Sequence, residues 1–174
     1  MAFNTSVTVH PFKFPRQAGG IAWIWNALMS AAYADGCEYM YQSNDDVEFV
    51  TPGWAPQFVS IISPPEGRAR SRLGVVGARD LNNGLVMTQS FVHRTHHEVF
   101  GAHFPSTIKN WHLDDWISTV YGAARTHHLR HIHIRNTNKF GTRYAECRED
   151  GEWFRVEVVR GGRLIDEWLA RNPD

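Results

Sequence analysis

The sequence predicts an α/β fold in a single domain. Three observations predict it. Helix-periodic and strand-like segments alternate along the chain. Two adjacent aspartates close the first strand-like run, at the strand end where open α/β sheets bind ligands. A composition of 43 % hydrophobic and 13 % aromatic residues in 174 is ample for one buried core.

The elements follow in order. Gly19 to Gly36, "GGIAWIWNALMSAAYADG", is alanine-rich with apolar residues near helical spacing, and Gly36 supplies a stop. "CEYMYQS" then reads as a strand, with Tyr39 and Tyr41 on one face and Met40 on the other. After the Thr51-Pro52-Gly53 turn, Trp54, Phe58, Ile61 and Ile62 suit a short helix against the sheet. Leu73 to Ala78 and Leu85 to His93 read as buried strands, the second leading into a helix "RTHHEVFG". A loop "AHFPSTIKNWHL" precedes the helix "DDWISTVYGAA". "LRHIHIRN" alternates Ile132 and Ile134 with His131, His133 and Arg135, a strand with one polar face. The tail is amphipathic and ends in a helix through Leu164, Trp168 and Leu169. No internal repeat or low-complexity linker divides the chain. Residues 1–18 form an irregular segment, 19–144 the core and 145–174 an amphipathic C-terminal segment.

Charge narrows the function. Eighteen basic residues balance eighteen acidic ones, so no global field recruits nucleic acid or an anionic membrane. The basic stretch Gly67 to Arg72 is local and reads as an exposed loop. Cys37 and Cys147 allow at most one bridge, form no CxxC pair and are expected as free thiols. No apolar run is long enough to span a bilayer, and the first residues have neither a basic n-region nor an apolar h-region. Both features favour a cytoplasmic location. The sequon Asn4-Thr5-Ser6 is a chance-level match.

Two carboxylate pairs and a histidine-rich composition carry the chemistry. Asn44, Asp45 and Asp46 end the first strand. A turn accounts for these residue types. So does a hard cation such as Mg²⁺ or Mn²⁺, held by one or two carboxylates and by substrate phosphates. Asp114 and Asp115 lie between Trp111 and Trp116 at a helix start. There they cap backbone amides, or one of them, dehydrated by the indoles, acts as a base. Of the ten histidines, His93 and His97 are four apart and on a helix would share a face able to bind zinc. An HExxH motif is absent, because the position after His97 that would need the second histidine is Gly101. His131 and His133 share a strand face, where one could complete a metal shell.

Taken together, "WNALMSAAYADGCEYMYQSNDDVEFVTPGW", "GVVGARD", "MTQSFVHRTHHEVFG" and "KNWHLDDWISTVYG" resemble the nucleotide-diphospho-sugar transferases of the glycosyltransferase A fold, over Trp25 to Tyr144. The resemblance implies that Asn44-Asp45-Asp46 is the DxD-type motif. Asp46 is then the principal ligand of Mn²⁺ or Mg²⁺, and Asp45 the partner of the ribose, donor sugar or metal-bound water. It also implies that Asp114-Asp115 is the second acidic motif, with Asp115 the general base of an inverting transfer. His133 becomes a late metal ligand, with His131 less favoured, and Gly101 lies in the loop beside the donor. The partners implied are a UDP- or GDP-sugar and a hydroxyl acceptor. Trp54, Trp111 and Trp116 offer apolar faces for sugar rings.

The resemblance implies a three-layer sandwich, with helices on both faces of a mixed, mostly parallel sheet. The family's opening strand–helix–strand unit has no counterpart before Gly19, so the fold expected is an N-terminally reduced one, which a second subunit in a homo-oligomer would complete. Two other functions fit the same residues. One is a catalytically inactive relative that keeps the fold. The other is a histidine-rich zinc protein or metal-dependent hydrolase.

Overall fold

The computed structural model describes residues 6–15, 20–63, 72–137, 139, 141 and 147–173. Most of the basic stretch Gly67 to Arg72 and most of the sequon lie outside them. In chain order the elements are α1 (Ile21–Ala34), β1 (Tyr39–Gln42), β2 (Val47–Phe49), α2 (Trp54–Ile62), β3 (Val75–Asp80), β4 (Ser90–His93), α3 (Thr95–Phe100), α4 (Leu113–Val120), α5 (Gly122–Arg125), β5 (Thr126–Asn136) and α6 (Asp150–Arg171). Both cysteines are free thiols. Among the described residues no helix is long and apolar enough to cross a membrane.

Local sequence sets most boundaries. Alanines carry α1 to Ala34, and Gly36 then takes a φ of 84°, so that the amides of Gly36 and Cys37 close back on Tyr33 and Ala32. Pro56 sits in the first turn of α2, where its missing N–H costs nothing. At the start of α4, His112 has a φ of 63°, unusual for a residue with a Cβ. Two contacts hold it there: its Nδ1 lies 2.9 Å from Asp115, and its ring packs on Phe154.

The strands form one sheet in the order β1-β4-β3-β5-β2. The α/β class stands, but the mostly parallel sheet does not. Of the pairings, β1–β4, β3–β4 and β2–β5 are antiparallel, and only β3–β5 is parallel. The reason lies in the connections. β4 returns antiparallel beside β3, and the chain then crosses through α3, α4 and α5 before β5 runs parallel on the other side of β3. β1 and β2, joined by only four residues, lie at opposite edges of the sheet. The Ser43–Asp46 link therefore crosses the ends of the strands between them.

Alternation divides the core in two. Met40, Val75 and Val92 face one side, with Met29 of α1, Trp116 and Ile117 of α4 and Ile165 of α6. Val76, Ala78, Phe91, Ile132 and Ile134 face the other, under Phe58 and Ile62 of α2. Helix α6 reaches its neighbours through Gly161: a Cβ there would stand 2.4 Å from Val120 Cγ2, whereas one on Gly162 would meet nothing within 4 Å. The two glycines should respond oppositely to alanine. Gly161→Ala is expected to cost about 1–3 kcal/mol by overpacking, and Gly162→Ala to gain about 0.5–1 kcal/mol of helix propensity. Urea titration of both variants checks the pair.

Candidate active site

The crossing link builds one wall of a cleft of about 230 Å³ at the C-terminal ends of β1, β3 and β5. Gln42 and Asn44 come from β1 and the link, Asn83 and Thr88 from the β3–β4 loop, and Asn136 from the end of β5. Asn110, in the loop before α4, and Asp114, in the first turn of α4, close it. Ile21, Trp25, Phe104 and Leu113 form its apolar side. The described lining is rich in amides and carries no lysine or arginine.

Buried groups beneath the cleft hold this wall. Asp80, 1 % exposed, accepts the Asn82 and Asn136 amides on one oxygen (2.9 and 3.2 Å) and the Thr88 hydroxyl on the other (3.2 Å). A single carboxylate thus ties together three segments of the rim. Gln89 accepts the Asn44 amide at 2.9 Å, and Gln42 accepts the Ser90 hydroxyl at 3.2 Å. Since Ser90 gives its proton to Gln42, the Nε2 of His103, 3.1 Å away, is the donor to Ser90. Burial holds His103 well below the ordinary histidine range, and it lowers His96 to about 4. His96 is neutral: its Nε2 donates to the His103 carbonyl, and its Nδ1 accepts from the Tyr121 hydroxyl at 2.6 Å.

The two acidic pairs part company with their sequence neighbours. Asp114 lines the cleft, and burial, with the Asp115 charge beside it, pushes its carboxyl up to about 7. Asp115 turns instead to the His112 imidazole and is 43 % exposed. Of the residues expected at a donor site, Asn44 lines the cleft, and Asp45 and Asp46 make the turn into β2 directly after it. The Asp46 carbonyl accepts both the amide and the hydroxyl of Thr137, which fixes the turn to the end of β5.

Others lie elsewhere. His133 is on β5, with its backbone bonded to Val50 and Thr51. His131 meets Gln57 of α2. Gly101 ends α3 in the left-handed conformation and does not line the cleft. His93 is on β4 and His97 on α3, so they share no helix face. His93 takes the Thr95 amide and hydroxyl on its Nδ1, and His97 lies against the Tyr33 ring. Trp116 is core, Trp54 stacks on Phe49, and Trp111 is exposed. Among the described residues, no group of three or more His, Cys, Asp or Glu side chains is placed to hold a metal ion.

No protein-family model, curated protein or solved structure matches the chain.

The residues that sequence reasoning missed are the uncharged ones and their anchors. Gln42, Thr88, Asn110 and Asn136 are ordinary strand-end and loop residues until the sheet order brings them together. Asp80 carried a hint, since a lone carboxylate closes the apolar run "GVVGARD".

Proposed function

We propose that the protein is a metal-dependent glycosyltransferase that moves a sugar from a nucleotide diphosphate to an acceptor hydroxyl, with Asp114 as the base. One observation carries the reading: a carboxyl poised near neutrality opens into an amide-lined cleft whose wall runs directly into the Asp45-Asp46 turn. The resemblance of the quoted motifs to glycosyltransferases of the A fold agrees with it. In this reading the mixed sheet with helices on both faces is a version of that fold.

Each part has a physical role. Amide side chains both donate and accept, which suits a hydroxyl-rich ligand better than a formal charge would. An anionic diphosphate finds no described cation in the lining, so its charge calls for a metal ion. Adjacent carboxylates with no third ligand among the described residues fit Mg²⁺ or Mn²⁺, which keep waters and take substrate phosphates. Asp46 and Asp45 would hold the ion, and its chemistry is to stabilise the negative charge left on the diphosphate. His133 has no place in that shell. Asp114, part ionised near pH 7, takes the proton of the acceptor hydroxyl as it attacks. Asp115 and His112 fix the first turn of α4 and so aim Asp114.

Release of nucleotide from UDP- and GDP-sugars in the presence of Mn²⁺ tests the assignment. Asp114→Asn is expected to lower the rate by about 10²–10⁴, the usual contribution of a general base. Asp115→Asn should cost about tenfold or less. The opposite ranking would return the base to Asp115.

A further inference from the structure

Helix α6 turns one face to the core and leaves the other open. Glu157, Gly161 and Ile165 are buried, whereas Val156 and Val159 are 54 and 56 % exposed. Arg155, Val159, Gly162 and Asp166 follow one another at spacings of four, three and four, which sets them in one line along the helix. Arg155, Val159 and Asp166 are exposed and Gly162 is half-buried. Two features of this line have no use within the chain. Among the described residues, neither Arg155 nor Asp166 takes part in an ion pair or a side-chain hydrogen bond. Gly162 weakens the helix, yet, unlike Gly161, it makes room for no neighbour, since a Cβ there would meet nothing within 4 Å.

We infer that α6 is the contact of a homodimer, packed antiparallel on the α6 of a second copy. The line is complementary to itself when reversed. With the twofold axis level with the Arg160–Gly161 peptide, Val159 of each copy meets Gly162 of the other, and Arg155 of each meets Asp166 of the other. Glycine lets the two backbones approach and leaves a hole that the valine fills. A parallel pair would set Arg155 against Arg155 and Asp166 against Asp166, which repel. Val159 also lines an open groove along α6 with Val156 and Leu164, so the line is flanked by apolar surface. An acidic peptide or an anionic membrane would gain Arg155 and Arg163 but meet Asp166 and Glu167. A face carrying both signs fits its own copy better. One helix pair lies near the ~1,200 Å² lower limit of standard interfaces, so association is expected at micromolar concentration. Urea titrations read at lower concentration report on the monomer. The inference stands on these residues and does not rest on the transferase reading.

Sedimentation velocity of the full chain, from ~1 to ~300 µM, tests it. The mass is expected to rise from monomer to dimer across that range. Gly162→Leu should abolish the dimer without lowering the melting temperature of the dilute protein, since its Cβ meets no atom of its own chain. Arg155→Asp and Asp166→Arg should each weaken association about tenfold or more, because each sets like charges face to face. The two changes combined should restore it, since the charges then only change places. A protein that stays monomeric throughout, a dimer undiminished by Gly162→Leu, or single-variant losses that the double variant does not restore would overturn the inference. Binding of a monomer to phosphatidylglycerol vesicles in place of dimerisation would also overturn it, and would assign this face to a membrane.

Discussion

Replacing Asp114 with asparagine is expected to stabilise the fold above pH 7 and, on the proposed transferase reading, to slow sugar transfer. The sign follows from linkage. The folded carboxyl titrates near 7 and the unfolded one near 3.8, so the folded state holds the extra proton between those values. The stability that proton confers is complete below about pH 4 and is lost as pH rises through 7. At pH 8 the ionised, partly buried side chain therefore costs the fold about 2–4 kcal/mol, after discounting for its opening onto the cleft. Asparagine removes that cost and leaves stability at pH 4 unchanged.

The buried histidines make the test sharper because their sign is opposite. His96 titrates near 4 when folded and near 6.5 when unfolded, so it withdraws about 3 kcal/mol as pH falls through that window. His103, also held low, adds to the loss. In the native protein Asp114 offsets much of it. In Asp114→Asn the loss is exposed, and stability should fall steadily from pH 7 to 4. Urea midpoints at pH 4, 6 and 8 for both proteins resolve the two contributions. A residue that destabilises its own fold is what a functional carboxylate in a dehydrated site should be.

Asp150→Ala is expected to be the most damaging single change outside the apolar core. Asp150 is fully buried at the first turn of α6, and its two oxygens accept the backbone amides of Lys109, Asn110 and Trp111 at 2.9–3.0 Å. Alanine would leave three amides without their charged acceptor, a loss of about 3–5 kcal/mol. Asparagine keeps one acceptor oxygen and should lose about half as much. The same amides fix the loop that carries Asn110 and leads into α4, so Asp114 should lose its aim as well. Faster hydrogen exchange at residues 109–111, together with a lowered urea midpoint, checks both effects.

What was legible in the sequence was local. Helical periodicity with the Gly36 stop marks α1, and alternation marks β5 and the two faces of β1. What was not legible depends on distant partners. β2 is only three residues, Val47 to Phe49, too short for a pattern and held by pairing with Arg135 and its neighbours across the sheet. Strand direction is decided by where chains cross, so β3 and β4 read alike whether parallel or antiparallel. The choice between Asp114 and Asp115 turns on helix phase. That phase follows from His112 entering the left-handed region and capturing Asp115, which no spacing reveals. Asp150 looks like a simple helix start, and its partners lie 39 to 41 residues away.

The most direct measurement is calorimetric titration of UDP and of GDP into the protein, with and without Mn²⁺, repeated on Asp46→Asn. Metal-dependent binding of one nucleotide, lost in Asp46→Asn, is the predicted result and would name the donor class. A folded, monodisperse protein that binds neither nucleotide with the metal present would contradict the account.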